Sequence, residues 1–271
     1  MVSSPWQRVL DLPEDGHLVQ FYGADEDLLA FNVTRYLREG LRARDGAVVI
    51  ATPQHIQMFA ARLDHRNRVE WLDAQQTLDS FMVDRMPVWE LFEAAIVPVI
   101  QRVRSVANGV RAYGEMVGLL WSEGRHLAAV RLEHFWNRLL SRSPIHLYCG
   151  YPIDIFSRAF DPASVDALLC SHTHIVPAGG AKMEAALCRA MEEVLGSDAQ
   201  SIESQMKTEL FRARWGVLPR SEGLILWLRR NRACPGFGQA GRERGDRIPW
   251  CLAVEQRLAL RPDLKAADFG L

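Results

Sequence analysis

The chain has 271 residues, 48% hydrophobic and 24% charged, with 32 basic and 33 acidic side chains and a net charge of −1. That is ample material for a core and excludes wholesale disorder, while the even charge gives no global pull toward nucleic acid or an anionic membrane. Lysine occurs only at Lys182, Lys207 and Lys265, so residues 1–181 can supply neither a P-loop phosphate lysine nor a Schiff-base lysine.

His17-Leu18-Val19-Gln20-Phe21-Tyr22 is a short apolar run closed by Gly23 and reads as a buried strand. Asp25 to Gly40 carries Leu28, Leu29, Phe31, Val33, Tyr36 and Leu37 near helical spacing, with Gly40 and Asp45-Gly46 expected to end it. Ala47 to Thr52 is a second strand, stopped by Pro53. A helix from Gln54 to Leu63 and a third strand from Arg68 to Asp73 follow. Gln75 to Val83 and Pro87 to Ala107 read as helices, Val110 to Glu115 as a fourth strand, Arg125 to Leu140 as an amphipathic helix, and Ile145 to Tyr151 as a fifth strand. Strands alternating with long helices imply βαβ units, so the expected fold is α/β with a largely parallel sheet covered on both faces over about residues 10–177.

Beyond Val176-Pro177-Ala178-Gly179-Gly180 the pattern becomes helical: Met183 to Leu195, Gln200 to Arg214 and Glu222 to Arg230. These define an expected helical extension over 181–230. Residues 231–271 read as an irregular basic tail with one short helix at Leu252 to Leu260. The five cysteines are widely spaced and form no CxxC pair, and no apolar run nears the ~20 residues of a spanning helix. A reduced, cytoplasmic protein is the expectation.

The chain lacks GxSxG, HExxH, GxxxxGK[ST] and GxGxxG. In an open parallel sheet, ligands sit outside the carboxyl ends of the strands. Tyr22, Thr52, Asp73, Glu115 and Tyr151 would line that rim. Glu115 could hold a polar ligand or a cation there, or simply place a negative charge at the start of the next helix. Cys149 could be a small core residue or a thiol facing a pocket, and His17 a core histidine or a ligand. Cys170, His172 and His174 alternate, so on an extended chain they would face one side as metal ligands could; the other reading is a helix end with solvent-facing imidazoles.

Several segments together are similar to one family. His17-Leu-Val-Gln-Phe-Tyr22, Gly40-Leu41 leading to Val48-Val49-Ile50-Ala51-Thr52, Arg111-Ala-Tyr-Gly-Glu-Met116, Leu119-Leu120-Trp121, Leu132-Glu133-His134-Phe135-Trp136-Asn137 and Leu147-Tyr148-Cys149-Gly150-Tyr151-Pro152 resemble the MEDS domain, a prokaryotic sensory domain. The resemblance covers about residues 15–177. It implies sensing of small molecules, with simple hydrocarbon derivatives proposed, and a core like that of RecA/KaiC ATPases without the phosphate lysine. By position it implies that His17, Tyr22, Glu115, Cys149 and Tyr151 face the ligand, and Thr52 joins them on the rim.

The expected function is therefore a non-catalytic sensor for a small organic molecule, signalling through a protein partner, with a homodimer as one arrangement. The sequence leaves any cofactor unknown, and neither direct nucleic-acid nor membrane binding is expected. A degenerate nucleotide-binding protein and a scaffold acting through its C-terminal helices are the alternatives. Glu115 and Cys149, on strands expected to be neighbours, would share one pocket.

Overall fold

The computed structural model describes residues 9–11, 16–23, 26–64, 68–157, 160, 162–179, 181–212, 215, 217–230, 254 and 257. The expected basic tail, with its short helix, lies almost wholly outside them. In chain order the elements are β1 (His17–Phe21), α1 (Asp27–Arg42), β2 (Gly46–Ala51), α2 (Pro53–Arg62), β3 (Val69–Asp73), α3 (Ala74–Asp79), β4 (Met82–Val83), β5 (Met86–Pro87), α4 (Trp89–Arg104), β6 (Val110–Gly114), α5 (Met116–Ser122), α6 (His126–Leu140), β7 (Ile145–Tyr151), α7 (Asp166–Ser171), β8 (His174–Val176), α8 (Ala181–Leu195), α9 (Ala199–Arg212) and α10 (Arg220–Arg230).

Six strands form one parallel sheet in the order β3-β2-β6-β7-β1-β8. Both faces are covered, which explains the apolar run of β2 and the mostly apolar, buried β1 and β7. Successive side chains alternate between faces. Val19, Phe21, Val48, Ile50, Ala112, Leu147, Cys149, Tyr151 and Ile175 point toward the layer of α4 to α7. Leu18, Tyr22, Ala47, Val49, Ala51, Tyr113, Tyr148 and Val176 point toward α1 and α2. The α/β fold with a parallel sheet is as the periodicity implied.

The differences are local and have physical causes. Gly40 does not end the first helix, which runs on to Arg42. A side chain there would collide with Arg111 Cδ, so this glycine makes room for Arg111. That buried guanidinium donates to the backbone oxygens of Leu10, Asp11 and Tyr36. The helix expected over Gln75 to Val83 stops at Asp79, because a tight hairpin follows at Met82–Val83 and Met86–Pro87. Asp84 and Arg85 turn it at φ 46° and 65°, left-handed values that the fold of a two-residue hairpin loop demands. β8 is three residues long, too short for periodicity to reveal.

The C-terminal helices pack on one another and on the sheet layer. Ala186, Leu187, Ala190 and Met191 of α8 meet Met206 of α9 and Leu224, Trp227 and Leu228 of α10. Ile225 and Leu226 of α10 instead join the core beneath the sheet. Val217, between α9 and α10, pairs along the edge of β8 through Ile175 N to Val217 O (2.9 Å) and Val217 N to Thr173 O (2.8 Å). The apolar stripe of α8 is thus used within the protein. Among the described residues no helix is long and apolar enough to cross a membrane.

Candidate functional site

Two polar clusters lie on opposite faces of the sheet. Six of the seven rim and pocket residues expected from the sequence divide between them, Tyr22, Thr52 and Glu115 in one and His17, Cys149 and Tyr151 in the other, while Asp73 caps α3, its Oδ1 accepting from Gln76 N at 2.8 Å.

The first is at the carboxyl-end rim. Thr52 caps α2, its Oγ1 accepting from His55 N at 3.3 Å, with Pro53 at the first helical position where no backbone N–H is needed. This first turn lays His55 and Phe59 on the buried face of α2. Glu115 follows β6 at the start of α5, yet its side chain makes no capping bond to that helix. It turns instead across the sheet end. Oε1 accepts from Tyr113 OH at 2.7 Å and is paired with His55 Nδ1, while Oε2 accepts from Thr52 N at 2.9 Å. His55 Nε2 reaches Glu26 Oε2 at 3.2 Å, and the Tyr22 ring stands edge-on to the imidazole at 5.9 Å. Burial works to lower the His55 pKa, but the hydrogen bonds and charges of Glu115 and Glu26 outweigh it and raise it. Burial beside Glu115 and Glu26 pushes the Tyr22 phenol up, so it stays protonated.

The second cluster lies under the middle of the sheet, against α6. His17 opens β1, and Cys149 is opposite Val19 in the β1–β7 register. Glu133 comes from the buried face of α6, and His172 from the residue after α7. His17 Nε2 is 3.4 Å from Cys149 Sγ and 3.2 Å from Glu133 Oε2; His172 Nε2 is 3.3 Å from Glu133 Oε1. Tyr151 OH donates to Glu133 Oε1 at 2.6 Å. All four are buried, with exposures of 0–4%. Burial works to raise the Glu133 pKa, but the His172 and His17 imidazoles outweigh it and hold the carboxyl well below the usual range. Burial lowers His17, with His172 adding to it, and raises the Cys149 thiol, with Glu133 adding to it. The donor set of two imidazoles, a sulfur and a carboxylate is one that could hold a metal ion.

Glu115 and Cys149 therefore do not share a pocket, although β6 and β7 are neighbours as expected. Cys149 pairs in register with Gly114, and one residue further along β6 the chain presents the opposite face. The alternating Cys170, His172 and His174 do not converge either. The chain is helical to Ser171, so the extended-chain spacing does not apply: Cys170 is exposed, and only His172 joins the buried cluster.

Residues 16–173 match the family model of the MEthanogen/methylotroph, DcmR Sensory domain. The chain belongs to the MEDS family. The matched span contains both clusters in full, from His17 to His172, and leaves α8 to α10 outside. No curated protein and no solved structure matches this MEDS chain.

Sequence reasoning missed His55, Asn137 and the role of Glu133. A signal existed for the last. Ala129, Leu132, Glu133 and Trp136 share one phase of α6, so a carboxylate stands in an otherwise apolar stripe. His55 is similarly in phase with Phe59.

Proposed function

We propose that this MEDS protein is a non-catalytic sensory regulator that binds a small organic molecule, a simple hydrocarbon derivative, at the strand-end rim and signals through a protein contact made by its C-terminal helices. The observation that carries this reading is a hydrogen-bonded route from the sheet to α10. Gln20 of β1 is bonded to Tyr148 OH and to Asn32, and its Nε2 donates to Pro177 O at 3.1 Å. The next two backbone N–H groups, of Ala178 and Gly179, donate to Glu222 Oε1 at 2.7 and 3.1 Å. Glu222 is fully buried, and Arg229 on the same helix donates to the Ile155 and Phe156 carbonyls at 2.8 Å. A movement of the sheet end would be felt at α10.

The rim supplies what a small polar organic ligand needs: the Glu115 carboxylate as acceptor and the Tyr22 and His55 rings as walls. Nucleotide binding has less support. Arg35 is paired with Asp11, Arg38 donates to Arg62 O and Arg42 is paired with Glu39, so these three arginines toward the end of α1, which could replace a phosphate lysine, are engaged elsewhere.

A ligand can shift the helices only through unequal affinity for two states. Calorimetry on the full chain with one- to three-carbon alcohols, amines and halides, and with magnesium-ATP, tests the reading. One organic class should bind and lose about tenfold in affinity, or ~1.4 kcal/mol, in Glu115→Gln. Silence across the organic panel, or binding of magnesium-ATP that depends on Glu115, would overturn it.

A further inference from the structure

We propose that His17, Glu133, Cys149 and His172 form a closed site for one divalent transition ion of the zinc class, which ties the start of β8 to the centre of the sheet. This goes beyond the ligand-sensing reading and does not depend on it.

Proton bookkeeping is the first argument. Nδ1 of His17 faces Asn137 Oδ1 at 2.8 Å, and the Asn137 amide nitrogen donates to Ser171 O at 3.0 Å, which sets its oxygen toward the imidazole. Nδ1 of His172 faces the Leu168 carbonyl at 2.7 Å. Both Nδ1 atoms thus carry the proton, and both Nε2 atoms turn a lone pair inward. Glu133, an acceptor, lies opposite them, and among the described residues His172 Nε2 has no hydrogen-bond partner. Lone pairs aimed at a buried carboxylate are repulsive unless a cation stands between them. One further proton would pair only one of the imidazoles with Glu133, and giving each a second proton would put two like charges on rings whose centroids are 4.0 Å apart, in a sealed interior.

Geometry is the second argument. A tetrahedral zinc ion with bonds of about 2.0–2.1 Å to nitrogen or oxygen and about 2.3 Å to sulfur sets N···O edges of about 3.3 Å and N···S edges of about 3.6 Å. His17 Nε2 lies 3.2 Å from Glu133 Oε2 and 3.4 Å from Cys149 Sγ, Cys149 Sγ lies 3.9 Å from Glu133 Oε2, and His172 Nε2 lies 3.3 Å from the other carboxylate oxygen, Oε1. All four atoms lie within 4.8 Å of one another. The three edges among His17, Cys149 and Glu133 are close to tetrahedral values.

The surroundings are the third. Metal-bound histidines usually donate their other ring N–H to an oxygen, and metal-bound carboxylates are themselves hydrogen-bonded. Here Asn137 and the Leu168 carbonyl hold the two rings, and Tyr151 OH holds Glu133 at 2.6 Å. The sulfur and imidazoles select a zinc-like ion over magnesium or calcium, which prefer all-oxygen shells. Four protein ligands and near-complete burial leave no open position, so the ion is structural. It would clamp His172, which leads into β8 and the Pro177–Gly179 exit toward α10.

The full chain, loaded with zinc chloride and then dialysed, provides the test. Elemental analysis should find about one zinc per chain, and X-ray absorption one sulfur at ~2.3 Å with nitrogen and oxygen at ~2.0–2.2 Å. Asn137→Ala keeps all four ligands but frees the His17 ring, so zinc affinity measured against a chromophoric chelator should fall about 10–100-fold. Cys149→Ala should remove the sulfur from the shell, whereas His174→Ala should change neither shell nor affinity. Substoichiometric zinc in the wild-type chain, or a shell without sulfur, overturns the proposal. So does a sulfur that survives Cys149→Ala, since it would come from another cysteine.

Discussion

The two polar clusters sit on one sheet and use the same residue types, yet their hydrogen bonding is opposite in character. At the rim every Glu115 oxygen has a donor: Tyr113 OH and His55 on one, Thr52 N on the other. That network opens toward solvent through Glu26, which is 30% exposed. Under the sheet, acceptors face acceptors: Tyr151 OH donates to Glu133, and the weak Cys149 thiol, 3.4 Å from His17 Nε2 and 3.9 Å from Glu133 Oε2, is shared between the two. A satisfied network next to water is adaptable, as a ligand site must be. A sealed set of mutually facing lone pairs is an imbalance that a folded protein keeps only for a reason. On the reading proposed above, the difference separates a recognition surface from a centre that holds the fold in place.

The sharpest way to break this contrast is to remove Glu133. Its carboxylate is common to His17, His172, Cys149 and Tyr151, and it is fully buried. With the proposed ion bound, Glu133→Ala should cost about 3–5 kcal/mol in urea unfolding, the scale expected when one partner of a buried ion pair is deleted. A loss below about 1 kcal/mol would mean that the interior residues act independently, and the contrast with the rim would collapse.

How much of this was legible beforehand follows from what each signal depends on. The parallel sheet was readable because β1, β2 and β7 are mostly apolar on both faces, a pattern set by local burial. His17, Cys149, Tyr22, Thr52 and Glu115 were all singled out, but their division between two faces was not. Face assignment depends on where a strand ends and how the next residue turns, as Glu115 does after Gly114. Asn137 could not be found from its own neighbours, since its partners, His17 and Ser171, are distant in sequence. His172 was placed with the wrong companions because alternation was applied across the end of a helix. The hairpin at residues 82–87 was hidden for a different reason: its turn residues, Asp84 and Arg85, adopt left-handed backbone that usually calls for glycine or asparagine.

A second change sharpens the rim side of the comparison. Glu115→Gln keeps shape but places an amide N–H where a carboxylate oxygen accepted. One of Thr52 N–H or the Tyr113 and His55 donors must then face a donor. The expected cost is about 1–3 kcal/mol, smaller than for Glu133 because Glu26 and solvent lie close by. Thermal and urea unfolding measure it. A cost equal to that of Glu133→Ala would make the rim as structural as the interior and remove the case for a ligand surface there.

The smallest effect is the pH response of His55, and it tests whether the rim network is the charged one its geometry implies. The groups facing this imidazole are Glu115, Glu26 and the Tyr22 and Phe59 rings. Its folded-state pKa lies above the ordinary value because the two carboxylates outweigh burial. The unfolded chain titrates near ~6.5. The folded state therefore holds the proton more tightly, and the His55 contribution is fully present below about pH 6.5 and is lost as pH rises through the folded value. The stability gap between the wild-type chain and His55→Gln should accordingly be widest on the acid side of neutrality and narrow as pH increases. In a proton NMR titration the His55 ring should show a midpoint above ~6.5, moving down when Glu115 becomes glutamine. A midpoint at or below the ordinary value in the wild-type chain, or a gap that widens with pH, would mean that burial wins at the rim as well. The two faces of the sheet would then differ only in depth.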